Sequence, residues 1–123
     1  MTIVTVSVSV LIVDDHAGFR RSVRALLEVE GFEVVGEAAD GSSGLELAHA
    51  LVPDLVLLDV ALPDISGFEV AVGLAAAQSK VILISSREGA DYGRRVRQSG
   101  ALGFVPKDGL SAEALNELLE RAG

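Results

Sequence analysis

Three carboxylates, two hydroxyls and one lysine stand directly after short apolar runs in this chain. Asp14 and Asp15 follow Val-Leu-Ile-Val, Asp59 follows Leu-Val-Leu-Leu, Ser85 and Ser86 follow Val-Ile-Leu-Ile, and Lys107 follows Gly-Phe-Val-Pro. Singly, each has an ordinary explanation. An Asp between a strand and a helix is often an N-cap, an Asp four residues before Pro63 suits a turn, either serine suits a cap, and most lysines are solvated. Jointly, chemically matched groups at four run ends make coincidence a poor account. Carboxylates about 4 Å apart repel by roughly 4 kcal/mol at an effective dielectric near 20, and that repulsion invites a hard cation. Oxygen ligands favour Mg2+, which takes one or two carboxylates, keeps several waters and shares its shell with phosphate. A carboxylate beside Mg2+ can attack a phosphoryl group, while an ammonium and a hydroxyl meet the phosphoryl oxygens. On this reading Asp14 and Asp15 hold the metal and Lys107 meets the phosphoryl group. His16, beside the acidic pair, is read as pointing into the first helix and not as a ligand; His49 is read as structural.

These groups can cooperate only if the runs that carry them lie side by side. Val10 to Val13, Glu33 to Ala38, Leu55 to Leu58, Val81 to Ile84 and Gly103 to Val105 are read as strands. Three of them are apolar at four consecutive positions, as in a parallel sheet covered on both faces. Between them, Phe19, Val23, Leu26 and Leu27, and then Leu45, Ala48 and Leu51 after the turn Asp40-Gly41, recur at helical spacing. Ser43 with Glu46 and Ser66 with Glu69 match capping boxes. The third helix is expected over Ser66 to Ala77 with Phe68, Val72 and Ala76 inward. The fourth is expected from about Ala90 to Ser99, closed by Gly100, and the fifth from Ser111 to Arg121 with Leu115, Leu118 and Leu119. This alternation requires right-handed crossovers and a five-stranded parallel sheet in an open, doubly wound α/β sandwich of three layers. Ligands of such sheets bind beyond the carboxyl ends of the strands, where the candidate groups fall.

Composition narrows the function classes. The 123 residues suit one domain, and the absence of cysteine removes thiol chemistry and Cys-ligated zinc. A net charge of −8 repels phosphate backbones, so direct nucleic-acid binding by this segment is not expected. No apolar run approaches the roughly 18 residues of a membrane span, and no basic stretch precedes an apolar core at the N-terminus. The chain is therefore expected to be soluble and cytoplasmic. Val4, Val6, Val8 and Val10 alternate with Thr5, Ser7 and Ser9. Residues 1–9 are read as an extended or frayed leader, with pairing to a second chain as the alternative.

The sequence resembles the receiver domain of two-component response regulators over essentially its whole length. The carrying motifs are Leu-Ile-Val-Asp-Asp-His at 11–16, Leu-Leu-Asp-Val-Ala-Leu-Pro-Asp-Ile-Ser-Gly at 57–67, Ile-Leu-Ile-Ser at 82–85 and Gly-Phe-Val-Pro-Lys at 103–107. The resemblance implies a single receiver domain over 1–123 with the flavodoxin-like (βα)5 fold. It implies Asp59 as phosphoacceptor and Asp14, Asp15, Asp59 and the main-chain carbonyl of Ala61 as the Mg2+ site. It further implies Ser85 as the switch hydroxyl, with Ser86 at the neighbouring small-residue position, Phe104 as the aromatic that changes rotamer, and Lys107 as the phosphate-binding lysine. The implied partners are a sensor histidine kinase, an output domain or partner protein outside this chain, and a second copy in a homodimer. The run His-Ala-Gly-Phe-Arg-Arg and the Lys-Asp ending are similar to receivers that precede a helix-turn-helix domain, and none follows here, so a stand-alone receiver or a cut-down regulator is expected.

Two features depart from the family pattern. Asp108 stands where most receivers carry a proline after a cis bond, so a trans bond is expected there. The segment around Ala75 to Lys80 is slightly short. Two other classes compete. A haloacid-dehalogenase-type phosphatase would carry Asp-x-Asp after its first strand, whereas here the pair is adjacent. A receiver-like module working by contacts alone, without phosphorylation, would lack site residues that are all present. As a switch, the chain is expected to do no more enzymology than to phosphorylate itself from a donor and slowly hydrolyse the product.

Overall fold

The computed structural model describes residues 7–86 and 92–122. In chain order the elements are β1 (Ser9–Val13), α1 (Ala17–Val29), β2 (Glu33–Ala38), α2 (Gly41–Leu51), β3 (Leu55–Asp59), α3 (Gly67–Gly73), β4 (Lys80–Ser85), α4 (Gly93–Ser99), β5 (Gly103–Pro106), a 3-10 turn at Lys107–Gly109 and α5 (Ala112–Ala122). The five strands are all parallel and lie in the order β2-β1-β3-β4-β5. The chain therefore steps outward from β1 to β2 and then crosses to the other side for β3. That reversal opens the crevice between the carboxyl ends of β1 and β3.

Side-chain alternation divides the apolar runs between two cores. Leu11, Val13, Val56, Leu58, Val81 and Leu83 face Ala48, Phe68, Val70, Ala71 and Leu74, with Val96 of α4 packed against them. Val10, Ile12, Leu55, Leu57, Ile82 and Ile84 face the opposite layer, where Val23 and Leu27 of α1 and Leu115 of α5 complete the packing. Every residue from Val10 to Val13 and from Leu55 to Leu58 is fully buried, which explains why these runs are continuous and not alternating.

Several local expectations are corrected. The N-cap of α2 is Asp40, whose side chain accepts from the Ser43 N–H at 2.7 Å, so the Ser43–Glu46 pair is not a capping box. The reason is that Asp40 is the last extended residue, and Asp64, from the loop after β3, already takes the N–H groups of Gly41 and Ser42 at 2.8 and 2.9 Å. Those two bonds hold the Asp64 carboxyl below its ordinary range. Ser66 does cap α3, accepting from Glu69 N, but the helix ends at Gly73 instead of Ala77. Val72 is 58% exposed and Ala76 is exposed; the inward residues are Phe68, Val70, Ala71 and Leu74. Ala75 to Ala77 present too little apolar area to hold another turn against the core.

Leu26 and Leu51 lie at the edge of their helical stripes, each more than a third exposed. Gly100 closes α4 in the left-handed region, while the expected start at Ala90 lies outside the described residues. β1 begins at Ser9, one residue before the apolar run, because the Ser9 N–H and hydroxyl both donate to Asp54. The rest of the proposed leader, residues 1–6, lies outside the described residues. Among the described residues no peptide bond is cis, so the bond from Lys107 to Asp108 is trans as expected. No described helix is long and apolar enough to cross a membrane.

Candidate functional site

Each candidate side chain is delivered by the end of a strand. Asp14 follows β1, and its N–H bonds to the Ala38 carbonyl of β2 at 3.0 Å, which carries the sheet one residue further and leaves the side chain completely buried. Asp15, next in the chain, is exposed. Asp59 is the last residue of β3 and is 2% exposed. One of its carboxylate oxygens accepts from the Ala61 N–H at 3.1 Å, and the other accepts from Lys107 Nζ at 3.2 Å. The same ammonium lies 2.7 Å from Asp14 Oδ2, while its Nζ sits 4.4 Å from the centre of the Phe19 ring. Ser85 closes β4, is 3% exposed, and pairs with Pro106 of β5; Ser86 is exposed. Phe104 in β5 is half-buried and ends a row of tilted rings, 5.7 Å from Tyr92, which is in turn 5.4 Å from Phe68.

The electrostatics follow from this packing. Burial pushes the Asp59 carboxyl above its ordinary range; the Asp14 charge adds to that, and the Ala61 N–H and Lys107 oppose it. Burial alone would lower the Lys107 ammonium, but its hydrogen bond and charge pairing with Asp14 and the Asp59 carboxylate outweigh that and raise it. Three carboxylates against one ammonium leave an excess of negative charge. The wholly buried Asp14 Oδ2 is held by Lys107 Nζ at 2.7 Å, and the same ammonium is shared with Asp59, so one cation serves two buried carboxylates. One ligand atom each from Asp14, Asp15, His16 and Asp59 lie within 4.8 Å of one another. An oxygen-rich cluster in which three carboxylates share one ammonium fits a divalent cation.

The expectation for His16 is corrected, and two residues, Arg20 and Asp64, carry no expectation from the sequence. His16 is the N-cap residue of α1, but its ring does not enter the helix. It is 70% exposed and turns back toward the acidic pair, with Nδ1 3.3 Å from Asp14 Oδ1 and 3.1 Å from Asp15 Oδ1. The cause is local: the His16 N–H donates to Asp14 Oδ1 at 2.8 Å and folds the chain back before the helix starts. His49, in contrast, is exposed on α2. Arg20, one helical turn beyond His16, donates from Nη1 to the Asp14 carbonyl at 2.6 Å and from Nε to Glu37 at 3.1 Å, and Arg24 pairs with the same Glu37. The signal for Arg20 was its position one turn into a helix that starts beside the acidic pair. No signal in the sequence pointed to Asp64 bridging to the start of α2.

Removing the ammonium exposes the balance of this cluster. Lys107→Met is expected to lower stability in EDTA at pH 7 by about 2–3 kcal/mol, because two buried carboxylates lose their counter-charge. Asp59, freed of the cation that holds its pKa down, then protonates more readily, so part of the loss should return near pH 5. Urea denaturation at both pH values checks this, and an equal deficit at each would contradict it.

Comparisons with known proteins identify the family and the fold. A family model for the response regulator receiver domain matches residues 10–120. The chain belongs to that family. It is thus a receiver domain of two-component response regulators, a family of signalling switches. It is 40% identical over 115 residues to BvgA of Bordetella pertussis, covering 92% of this chain and 53% of that protein. It is likewise 40% identical over 103 residues to the response regulator GacA of Pseudomonas aeruginosa, covering 81% and 48%. The signal receiver domain of NarL from Mycobacterium tuberculosis superposes with a TM-score of 0.83 at 38% identity, covering 94% of this chain and 96% of that one. The receiver thus spans about half the length of the curated relatives it matches.

Proposed function

We propose that this receiver is a phosphorylation switch whose acceptor is Asp59, and that residues 1–123 act as one such unit. The observation that carries the reading is a nearly inaccessible carboxylate at the end of β3, held between the Ala61 N–H and Lys107 Nζ and beside the buried Asp14. Asp14, Asp15, Asp59 and the Ala61 carbonyl would hold Mg2+, whose chemistry is to neutralise charge that builds on the phosphoryl oxygens. Asp59 attacks the phosphorus of a phosphohistidine presented by a sensor histidine kinase in the cytoplasm. The new O–P bond forms as the P–N bond breaks, and the departing imidazole takes up a proton. Lys107 stays paired with the new dianion, and the Ser85 hydroxyl hydrogen-bonds one of its oxygens, with Ser86 beside it.

Drawing Ser85 inward makes room for Phe104, which lies in the same aromatic row as Tyr92. That rearrangement biases the surface of α4, β5 and α5, where an output domain or partner, or a second copy of the chain, is recognised. The output is a shift of population and not turnover, with slow hydrolysis of the phosphoryl group resetting the switch. Intact-mass measurement of the wild type with acetyl phosphate tests the reading. One phosphoryl group is expected with Mg2+ present and none in EDTA; no gain with Mg2+ would favour a receiver that works by contacts alone.

A further inference from the structure

We propose that Arg20, clamped by Glu37, is a positioning residue for the cation site: by holding the Asp14 carbonyl it fixes the peptide plane from which Asp15 projects. The inference rests on the reading that Asp14 and Asp15 hold Mg2+, and deepens it by naming what aims the second of them. The two carboxylates are placed by different means. Asp14 is wholly buried, with its N–H bonded to the Ala38 carbonyl of β2 at 3.0 Å and its side chain paired with Lys107 at 2.7 Å. Asp15 is exposed and pairs at 3.1 Å with the His16 ring, itself 70% exposed and so a weak anchor. Its direction is therefore set by the chain that leads into it. The Asp14 carbonyl and the Asp15 N–H belong to one rigid peptide unit, and Arg20 Nη1 donates to that carbonyl at 2.6 Å.

The guanidinium is itself fixed. Its Nε donates to Glu37 Oε1 of β2 at 3.1 Å, and the other Glu37 oxygen pairs with Arg24, one turn further along α1. The Arg20 and Glu37 side chains are mostly withdrawn from water, 18% and 27% exposed, so solvent competes little for these bonds. One planar fork thus ties β2 to the loop after β1 at the residue where the acidic pair begins. The competing account is a clamp between α1 and β2 that touches the loop without shaping the site. Arg24 provides the comparison, because it pairs with the same Glu37 but reaches the Val34 carbonyl, at 3.4 Å, and not the acidic pair.

Charge and geometry act on Mg2+ affinity with opposite signs. Deleting a nearby cation strengthens Mg2+ binding, whereas releasing the Asp14–Asp15 peptide weakens it. Calorimetric titration of the chain with Mg2+ at neutral pH separates the two. Arg20→Met is expected to raise the Mg2+ Kd about tenfold in spite of the lost positive charge. Arg20→Lys should raise it as well, since it keeps the charge but has no fork to hold the carbonyl and Glu37 together. Arg24→Met removes one charge from the same network and should leave the Kd within about twofold of the wild type. Melting curves in EDTA establish which variants are folded, and Arg20→Lys decides if Arg20→Met is not.

A Kd that the Arg20 variants leave unchanged or lower overturns the proposal, and so does an equal rise in Arg24→Met. With the wild type binding Mg2+ normally, either result removes only the positioning role. A wild type that does not bind Mg2+ removes the cation site of the proposed function, and the role of Arg20 with it.

Discussion

Asp59→Asn is expected to take up no phosphoryl group from acetyl phosphate and, in EDTA at neutral pH, to melt above the wild type. The carboxamide has nearly the shape of the carboxylate and can still accept from the Ala61 N–H, but it is no nucleophile. Its effect on stability comes from the cost of keeping Asp59 ionised. Burial raises the folded-state pKa of Asp59, with Asp14 adding to the rise, so the native state holds this proton more tightly than the unfolded chain. The stability that protonation contributes is fully present below the unfolded carboxylate value, about 3.9, and is lost as pH rises through the raised folded value. The wild type should therefore lose stability with rising pH across that window, while Asp59→Asn lacks this component.

At pH 7 the variant should gain on the order of 1 kcal/mol, about 3–6 °C in Tm for a domain of this length. Lys107 remains paired with Asp14 in the variant, which limits the gain. Intact mass and melting curves at several pH values read both effects. A normal mass gain in Asp59→Asn would move the acceptor elsewhere, and an unchanged Tm would show that the buried charge is already compensated.

Gly67→Ala should destabilise the protein by about 3 kcal/mol and impair phosphoryl uptake at the same time. Gly67 opens α3 directly against the acceptor strand, with its N–H donating to the Val60 carbonyl at 2.8 Å. A Cβ there would stand 2.2 Å from the Asp59 carbonyl oxygen and 2.8 Å from Val60 Cα, both backbone atoms that no rotamer change can withdraw. Either α3 or the Asp59–Val60 peptide must move, and the second carries the acceptor with it. Gly73→Ala is the contrasting case. Its Cβ would meet Leu45 Cδ2 at 3.1 Å, the far end of a flexible side chain, and alanine favours the helix by about 0.5–1 kcal/mol over glycine. The urea midpoint should therefore fall sharply for Gly67→Ala at unchanged m and stay close to the wild type for Gly73→Ala. Similar midpoints for the two would mean that the loop after β3 yields more easily than its packing implies.

The apolar runs and their spacing specify the sheet, its layers and the rim on which the chemistry sits. Runs such as Val10 to Val13 and Leu55 to Leu58 are apolar at every position because both faces are covered, and a period-free apolar run between amphipathic segments has few other solutions. Asp14 and Asp59 were legible for the same reason, each being the first polar residue after a fully buried run, and Lys107 because it directly follows β5; parallel strands bring such positions to one edge. What depends on contacts between distant segments was not legible. The cap of α2 is shared by Asp40 and by Asp64, 23 residues beyond Gly41, so no local capping pattern could reveal it. α3 stops at Gly73 because packing against the core, and not helical propensity, decides how many turns are held. The direction of the His16 ring and the reach of Arg20 to the Asp14 carbonyl likewise required the turn before α1 to be built. Side-chain type and spacing specify which edge carries the site; the hydrogen bonds and ion contacts that aim each group belong to the assembled fold, because their partners come from elements far apart in the chain.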